Sequence, residues 1–248
     1  MRRSITALFA VAALVSINSR DAAAQPSAQD IAAYGAILGT PAGALTPVLV
    51  SPGTKGEKAF NTVTGRFSHF SPSAGDGNNT LGGTFYHQAG MNAAVAGTVA
   101  YTQVGCPAGF SCDNALMLGG DVHSTLWNNA AAKSNTLASV NLQGSLGWGK
   151  AGDVSALSAV IGVPLAMSME QTSKAHVGGF ITPGFGWGRL SADVGGTSSS
   201  ESGTRPMIGA GAFWMAPAGW GIHASYSKIF IEDGGNNFGL GFSYNLPK

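Results

Sequence analysis

The 248-residue sequence contains 10% charged residues, 44% hydrophobic residues and 37 glycines, and its formal net charge is +1. Soluble domains carry about 25% charged residues, so this composition indicates a surface that meets something other than water. The hydrophobic content excludes a disordered chain, and the near-zero net charge excludes the basic field of a nucleic-acid-binding protein.

The first segment of the chain, residues 1–24, has the features of a cleavable export signal. Two arginines precede a short apolar run, 5–17, and three consecutive alanines, 22–24, offer small residues for cleavage. The apolar run is shorter than the ~20 residues that a membrane-spanning helix needs. The sequence therefore predicts a signal peptide rather than an N-terminal anchor helix.

Residues 25–56 are apolar but are interrupted by prolines at positions 26, 41, 47 and 52. The segment is expected to form a periplasmic leader or a plug in the lumen of the domain that follows. Alternatively, 31–39 and 43–50 could pair as an additional hairpin.

From residue 57 to the end, the chain reads as β segments separated by turn clusters, with no long helical periodicity. Most segments reach the about 9–11 residues with which a strand crosses a bilayer obliquely. The ten predicted strands are 57–70, 80–89, 91–104, 114–127, 135–149, 153–170, 175–192, 205–216, 219–232 and 236–247.

Alternation between apolar and small or polar residues is clearest in the last two predicted strands. One face is aromatic or aliphatic, and the other consists mostly of Gly, Ser, Asn and His. Such a two-residue period puts one face of each strand against an apolar phase. The residues predicted to face lipid are Phe238, Leu240, Phe242, Tyr244, Leu246, Trp220, Ile222 and Tyr226.

The connections between the predicted strands differ in length at the two ends. Those at 71–79, 105–113 and 193–204 are long and polar, whereas those near 90 and at 217–218 are tight. Short periplasmic turns and longer outer loops are typical of outer-membrane barrels. The long connections are therefore expected to face the environment.

Two cysteines, Cys106 and Cys112, lie in one of the predicted outer loops. Two thiols with no nearby histidine fall short of the four ligands of a structural zinc site. In an exported protein the pair is predicted to form a local disulfide. No metal site and no cofactor are expected.

With its export signal, alternating strands, loop asymmetry and aromatic-rich final strand, the chain resembles bacterial outer-membrane β-barrel proteins over residues 57–248. The resemblance implies an all-β fold, an antiparallel up-and-down transmembrane barrel, with ten strands expected and eight to twelve open. It implies location in the cell outer membrane, contact with outer-membrane lipid and lipopolysaccharide, and folding by the barrel-assembly machinery.

Two pairs of residues are candidates for catalysis. Asp121 and His123 are two positions apart and so point to one side of a strand, where a carboxylate could orient a histidine base. A pair of lumen hydrogen-bonding residues is the simpler interpretation. His223 and Ser225 form a His-x-Ser motif near the chain end that resembles lipid A 3-O-deacylases, in which the His acts as base and the Ser as nucleophile.

The function expected from these patterns is structural, surface-interacting or narrow-pore, with an unidentified surface ligand and without enzymatic activity. One alternative is a lipid-modifying hydrolase centred on His223 and Ser225. Another is a soluble secreted β-sandwich, in which the apolar faces would meet a closed protein core.

Overall fold

A computed structural model of the protein describes residues 61–71, 77–88, 93–104, 113–129, 135–194, 197–231 and 235–246. The predicted signal peptide, the segment 25–56 and the Cys106–Cys112 disulfide lie outside the described residues. Within these ranges, no helix is long and apolar enough to cross a membrane.

Eleven β-strands form a single antiparallel sheet in the described part of the chain. They are β1 (Asn61–Ser71), β2 (Asn78–Gln88), β3 (Ala93–Gln103), β4 (Ala115–Asn128), β5 (Thr136–Ala151), β6 (Val154–Gly162), β7 (Leu165–Glu170), β8 (His176–Val194), β9 (Thr197–Met215), β10 (Trp220–Ile229) and β11 (Asn236–Leu246). Strand β1 pairs with β11 over the whole length of both, so the sheet closes on itself as a barrel. The predicted fold class is confirmed, and the β-sandwich alternative, which needs two facing sheets, is wrong.

Strands β6 and β7 share one position in the barrel wall. Both pair with β5 on one side and with β8 on the other. Pro164 lies between them and has no N–H to donate to the ladder, yet its carbonyl oxygen accepts a hydrogen bond from Asn141 N at 2.9 Å. The barrel thus has the ten predicted strand positions, one of which is divided by a proline.

The strand bounds agree with the sequence prediction to within a few residues, except at β9. The residues 197–204 were expected to belong to an outer loop, but they form a strand that pairs with 187–194 of β8. Because these residues are polar on both faces, they lack the alternation that identifies a half-buried strand. Strand β10 ends at Ile229, opposite Met207, so among the described strands the first part of β9 pairs only with β8.

The two ends of the barrel are named here by their connections. The turn end carries the connections after β2, β4, β7 and β9, and the loop end carries those after β1, β3, β5, β8 and β10. In the turn after β7, Lys174 Nζ donates a hydrogen bond to Glu170 at 2.8 Å, and this bond raises the pKa of Lys174. Lys174 also has a positive φ of 63°.

Side chains alternate between an apolar outer wall and a mostly polar interior. On the outer wall, Leu81 and Leu146 expose 67% and 65% of their surface. Inside, hydroxyl groups follow one register across the strands, with Thr64 bonded to Ser243 and Thr84 bonded to Thr98, both at 2.8 Å. The outer wall is therefore apolar and the interior mostly polar, the reverse of a water-soluble protein.

Large interior side chains lie opposite glycines on the neighbouring strand. In the β8–β9 pair, Phe180 is opposite Gly211 and Phe213 is opposite Gly178. A Cβ added at Gly211 would collide with the Phe180 ring and with the carbonyl oxygen of Ala224. Glycine at this position thus leaves the volume that the aromatic ring fills.

We predict that Gly211→Ala destabilises the barrel by about 1–3 kcal/mol, because a rigid backbone oxygen blocks the new methyl group. The matched control is Gly97→Ala, where an added Cβ has no neighbour within 4 Å. Urea unfolding of both variants in the same detergent would measure the difference. Equal midpoints for the two would contradict the packing described here.

Candidate functional site

The residues predicted to face lipid lie on the outer wall. Phe238, Leu240, Phe242 and Tyr244 alternate along β11 with 42–51% of their surface exposed, and Leu246, at the end of the strand, is partly buried. On β10, Trp220, Ile222 and Tyr226 expose 38%, 52% and 42%. The structure thus places these side chains outward, where no other part of the described chain covers them.

Aromatic residues collect near both ends of this outer wall. At the turn end, the Trp220 ring is 4.8 Å from that of Trp214 and 6.1 Å from that of Phe242, centroid to centroid. Toward the loop end, Trp148 and Trp187 occupy outward positions on β5 and β8. Two aromatic belts that flank an apolar band are the pattern of barrels that span an outer membrane.

Asp121 and His123 both face the interior from β4, but they are not hydrogen-bonded to each other. Asp121 accepts hydrogen bonds from Ser145 and Gln143 and interacts electrostatically with Arg66. His123 is buried, and its Nε2 atom has no partner in the described contacts. The geometry of a carboxylate that orients a histidine base is therefore not formed.

Arg66, on β1, is an interior charged residue that the sequence-based predictions did not include. Its guanidinium interacts with Asp121 and Tyr86, and it also acts on His223. It lies opposite a glycine on each neighbouring strand, Gly82 and Gly241. The available signal was its place in the inward series Thr64, Arg66, Ser68, because a charge on the inner face of a barrel strand requires a partner across the lumen.

His223 and Ser225 also face inward, in line on β10. No hydrogen bond joins them, and His223 Nδ1 is buried without a partner among the described residues. Ser225 borders a small cavity, shared with Arg66 and Asn237, that has room for about a single water molecule. An acyl chain outside the barrel would meet Ile222 and Tyr226 rather than the Ser225 hydroxyl, so this arrangement gives no support to lipid hydrolysis.

An apolar cluster lies in the interior toward the loop end. Val160, Met207 and Ile229 form a fully buried cluster, and Phe70 and Ile231 pack against it. We call these five residues the apolar plug. Because they come from opposite sides of the closed sheet, they pack across the interior toward the loop end.

The described interior residues do not form a metal-binding site. Within the described ranges, no group of three or more His, Cys, Asp or Glu side chains is arranged to hold a metal ion. The interior histidines are single residues separated by hydroxyl and amide side chains. The arrangement can hold water and hydrogen bonds, but it assembles no nucleophile with its base.

No protein-family model and no curated protein sequence matches the chain. Among solved structures, the attachment invasion locus protein Ail of Yersinia pestis is 14% identical, with a TM-score of 0.34, over 76% of this chain and 97% of that one. The N-terminal β-barrel domain of Pseudomonas aeruginosa OprF is 12% identical, with a TM-score of 0.35, over 76% and 100%. The β domain of the Bordetella autotransporter BrkA is 11% identical, with a TM-score of 0.47, over 76% and 100%.

The closed hydrogen-bond ladder and the apolar outer wall together indicate which environment the barrel faces. A closed barrel pairs its backbone groups internally and can face hydrocarbon, whereas an open sheet cannot. The chain accordingly forms a closed β-barrel whose apolar outer wall, with aromatic residues near both ends, fits a membrane-spanning position.

We predict that Arg66→Met and Asp121→Asn each destabilise the barrel, because each leaves a charge in the interior without its electrostatic counterpart. The double variant should recover part of the loss, giving a coupling energy of about 1–3 kcal/mol in urea unfolding. The control cycle is Lys174→Gln with Glu170→Gln, a pair in a surface turn for which no measurable coupling is expected. Additive losses at Arg66 and Asp121 would contradict the interaction.

Proposed function

We propose that this protein is a non-enzymatic component of the outer membrane that presents a surface to the environment and does not conduct solutes freely. The observation that supports this proposal best is the apolar plug, which lies in the lumen beyond the polar centre of the barrel. Barrels of about eight to ten strands are filled by their own side chains, whereas water-filled porins have about 16–18 strands.

The outer wall is the first of two surfaces through which we propose that the protein makes its contacts. Its exposed aromatic and aliphatic side chains would contact the acyl chains of outer-membrane lipid, including those of lipopolysaccharide. Insertion of such a closed sheet would require the barrel-assembly machinery, which we propose as a transient partner.

The loop end is the second surface through which we propose that the protein makes its contacts. The β8 and β9 strands are 19 residues long, against 11 for β1, β2 and β3, so this hairpin extends beyond most of the wall. Its distal part contains mainly serine, glycine and threonine. We propose that this hairpin contributes to surface interaction together with the connections after β1 and β3.

We predict that the reconstituted protein gives no large, stable conductance steps in planar bilayers, because the plug occupies the lumen. Met207→Ala together with Ile229→Ala should raise the ion conductance, since both side chains are almost fully buried inside. Leu146→Ala together with Ile161→Ala removes comparable side chains from the outer wall and should leave the ion conductance unchanged. Large steps from the unmodified protein would reject the packed lumen.

We also predict that Leu240→Arg impairs insertion by about 2–4 kcal/mol, because it places a charge in the middle of the apolar band. Ser202→Arg, outward-facing on the distal part of β9, should have little effect. Folding into lipid vesicles, followed by heat-modifiable gel migration, would measure both variants. A soluble, detergent-free monomer from the unmodified chain would refute the membrane assignment.

A further inference from the structure

Cations on the outer wall are confined to one end of the barrel. The outward-facing Lys and Arg residues of the described strands are Lys150 on β5, Arg189 on β8 and Lys228 on β10, and all three lie in the half of the strand nearest the loop end. None of the described outward side chains on the strands is a carboxylate. The described charged side chains that face outward from the strands are therefore cations, and they lie toward the loop end.

Two of these cations flank the same strand, β6. In the registers, Lys150 is opposite Ser155, and Ser155 is opposite Ser191. One row closer to the turn end, Trp148 is opposite Leu157, and Leu157 is opposite Arg189. The strands of Lys150 and Arg189 are thus two interstrand spacings apart, ~10 Å, and both side chains are exposed.

Hydroxyl groups border these cations, and the apolar wall ends beneath them. Arg189 Nη2 donates a hydrogen bond to Ser200 Oγ at 3.0 Å, which directs the guanidinium toward β9 and engages one of its five donor hydrogens. Trp148 and Leu157, in the same row as Arg189 and one row closer to the turn end than Lys150, expose 39% and 43% of their surface. This is the level at which hydrocarbon gives way to polar headgroups.

We propose that Lys150 and Arg189, with Ser155 and Ser191 between them, bind the phosphorylated saccharide headgroup of a glycolipid in the surrounding leaflet. The inference rests on the membrane location proposed above. A guanidinium matches two phosphate oxygens at once, and an ammonium adds a second, adaptable charge. The serine hydroxyls can exchange hydrogen bonds with sugar hydroxyls, while Leu157 and Trp148 contact the first methylenes of the acyl chains.

The separation of the two cations favours a wide headgroup. Asp113 and Asp153 are exposed at this end, in the connections before β4 and between β5 and β6, and Glu201 is exposed on β9. We expect a saccharide that carries two phosphates to engage both cations, and the single phosphate of a glycerophospholipid to engage one of them. The site therefore selects for two anionic groups on one headgroup.

The test compares Lys150→Gln/Arg189→Gln with Lys228→Gln, which removes an outward cation outside the site. Each protein, purified in a mild detergent, is incubated with a diphosphorylated lipid A disaccharide, its dephosphorylated form or phosphatidylglycerol, and bound lipid is counted by native mass spectrometry. The unmodified protein and Lys228→Gln should retain the diphosphorylated glycolipid. The double variant should retain at most about one tenth of that amount.

Two results would overturn the proposal: equal retention by the double variant, or equal retention of the three lipids by the unmodified protein. Folding of all variants into neutral phosphatidylcholine vesicles separates these results from a failure of the membrane assignment. If the unmodified chain does not insert there, the proposed function fails, and this inference fails with it. If it inserts but retention is insensitive to Lys150 and Arg189, only the headgroup site is wrong.

Discussion

Closure of the hydrogen-bond ladder between β1 and β11 is the constraint on which the rest of the molecule depends. The pairing runs from Asn61↔Leu246 to Ser71↔Asn236 and leaves neither strand with a free edge along its length. Only with its backbone groups satisfied internally can a strand present phenylalanine and leucine to hydrocarbon. The apolar exterior, the aromatic belts and the polar interior all follow from that closure.

Closure with ten strand positions also fixes the interior. The lumen is narrow, so a large side chain is accommodated where its cross-strand neighbour is glycine, as with Phe180 and Gly211. A single inward arginine in the middle of this space requires an anionic counterpart, which Asp121 supplies. Toward the loop end, the apolar plug packs across this narrow interior.

The sequence predicts the wall well and the interior poorly. The rhythm of β11 identifies its strand as 236–247 against the observed Asn236–Leu246, because one face must be apolar throughout the bilayer. The alternation does not identify the polar start of β9, because this part of the strand lies beyond the apolar band. It also does not reveal the division at Pro164, because backbone hydrogen bonds continue across the proline. The role of Arg66 depends on which residues face it across the barrel, and strand periodicity contains no such information.

The unequal support of the β8–β9 hairpin has a mechanical consequence. β6 holds β8 as far as Ala192, while the distal part of β9 has no described strand on its other side. The hairpin is thus supported by a neighbouring strand along one edge only. This support makes it stiff in the plane of the wall, and its base is part of the barrel. A foreign peptide grafted between β8 and β9 would be held at a fixed distance from the barrel wall rather than on a flexible linker.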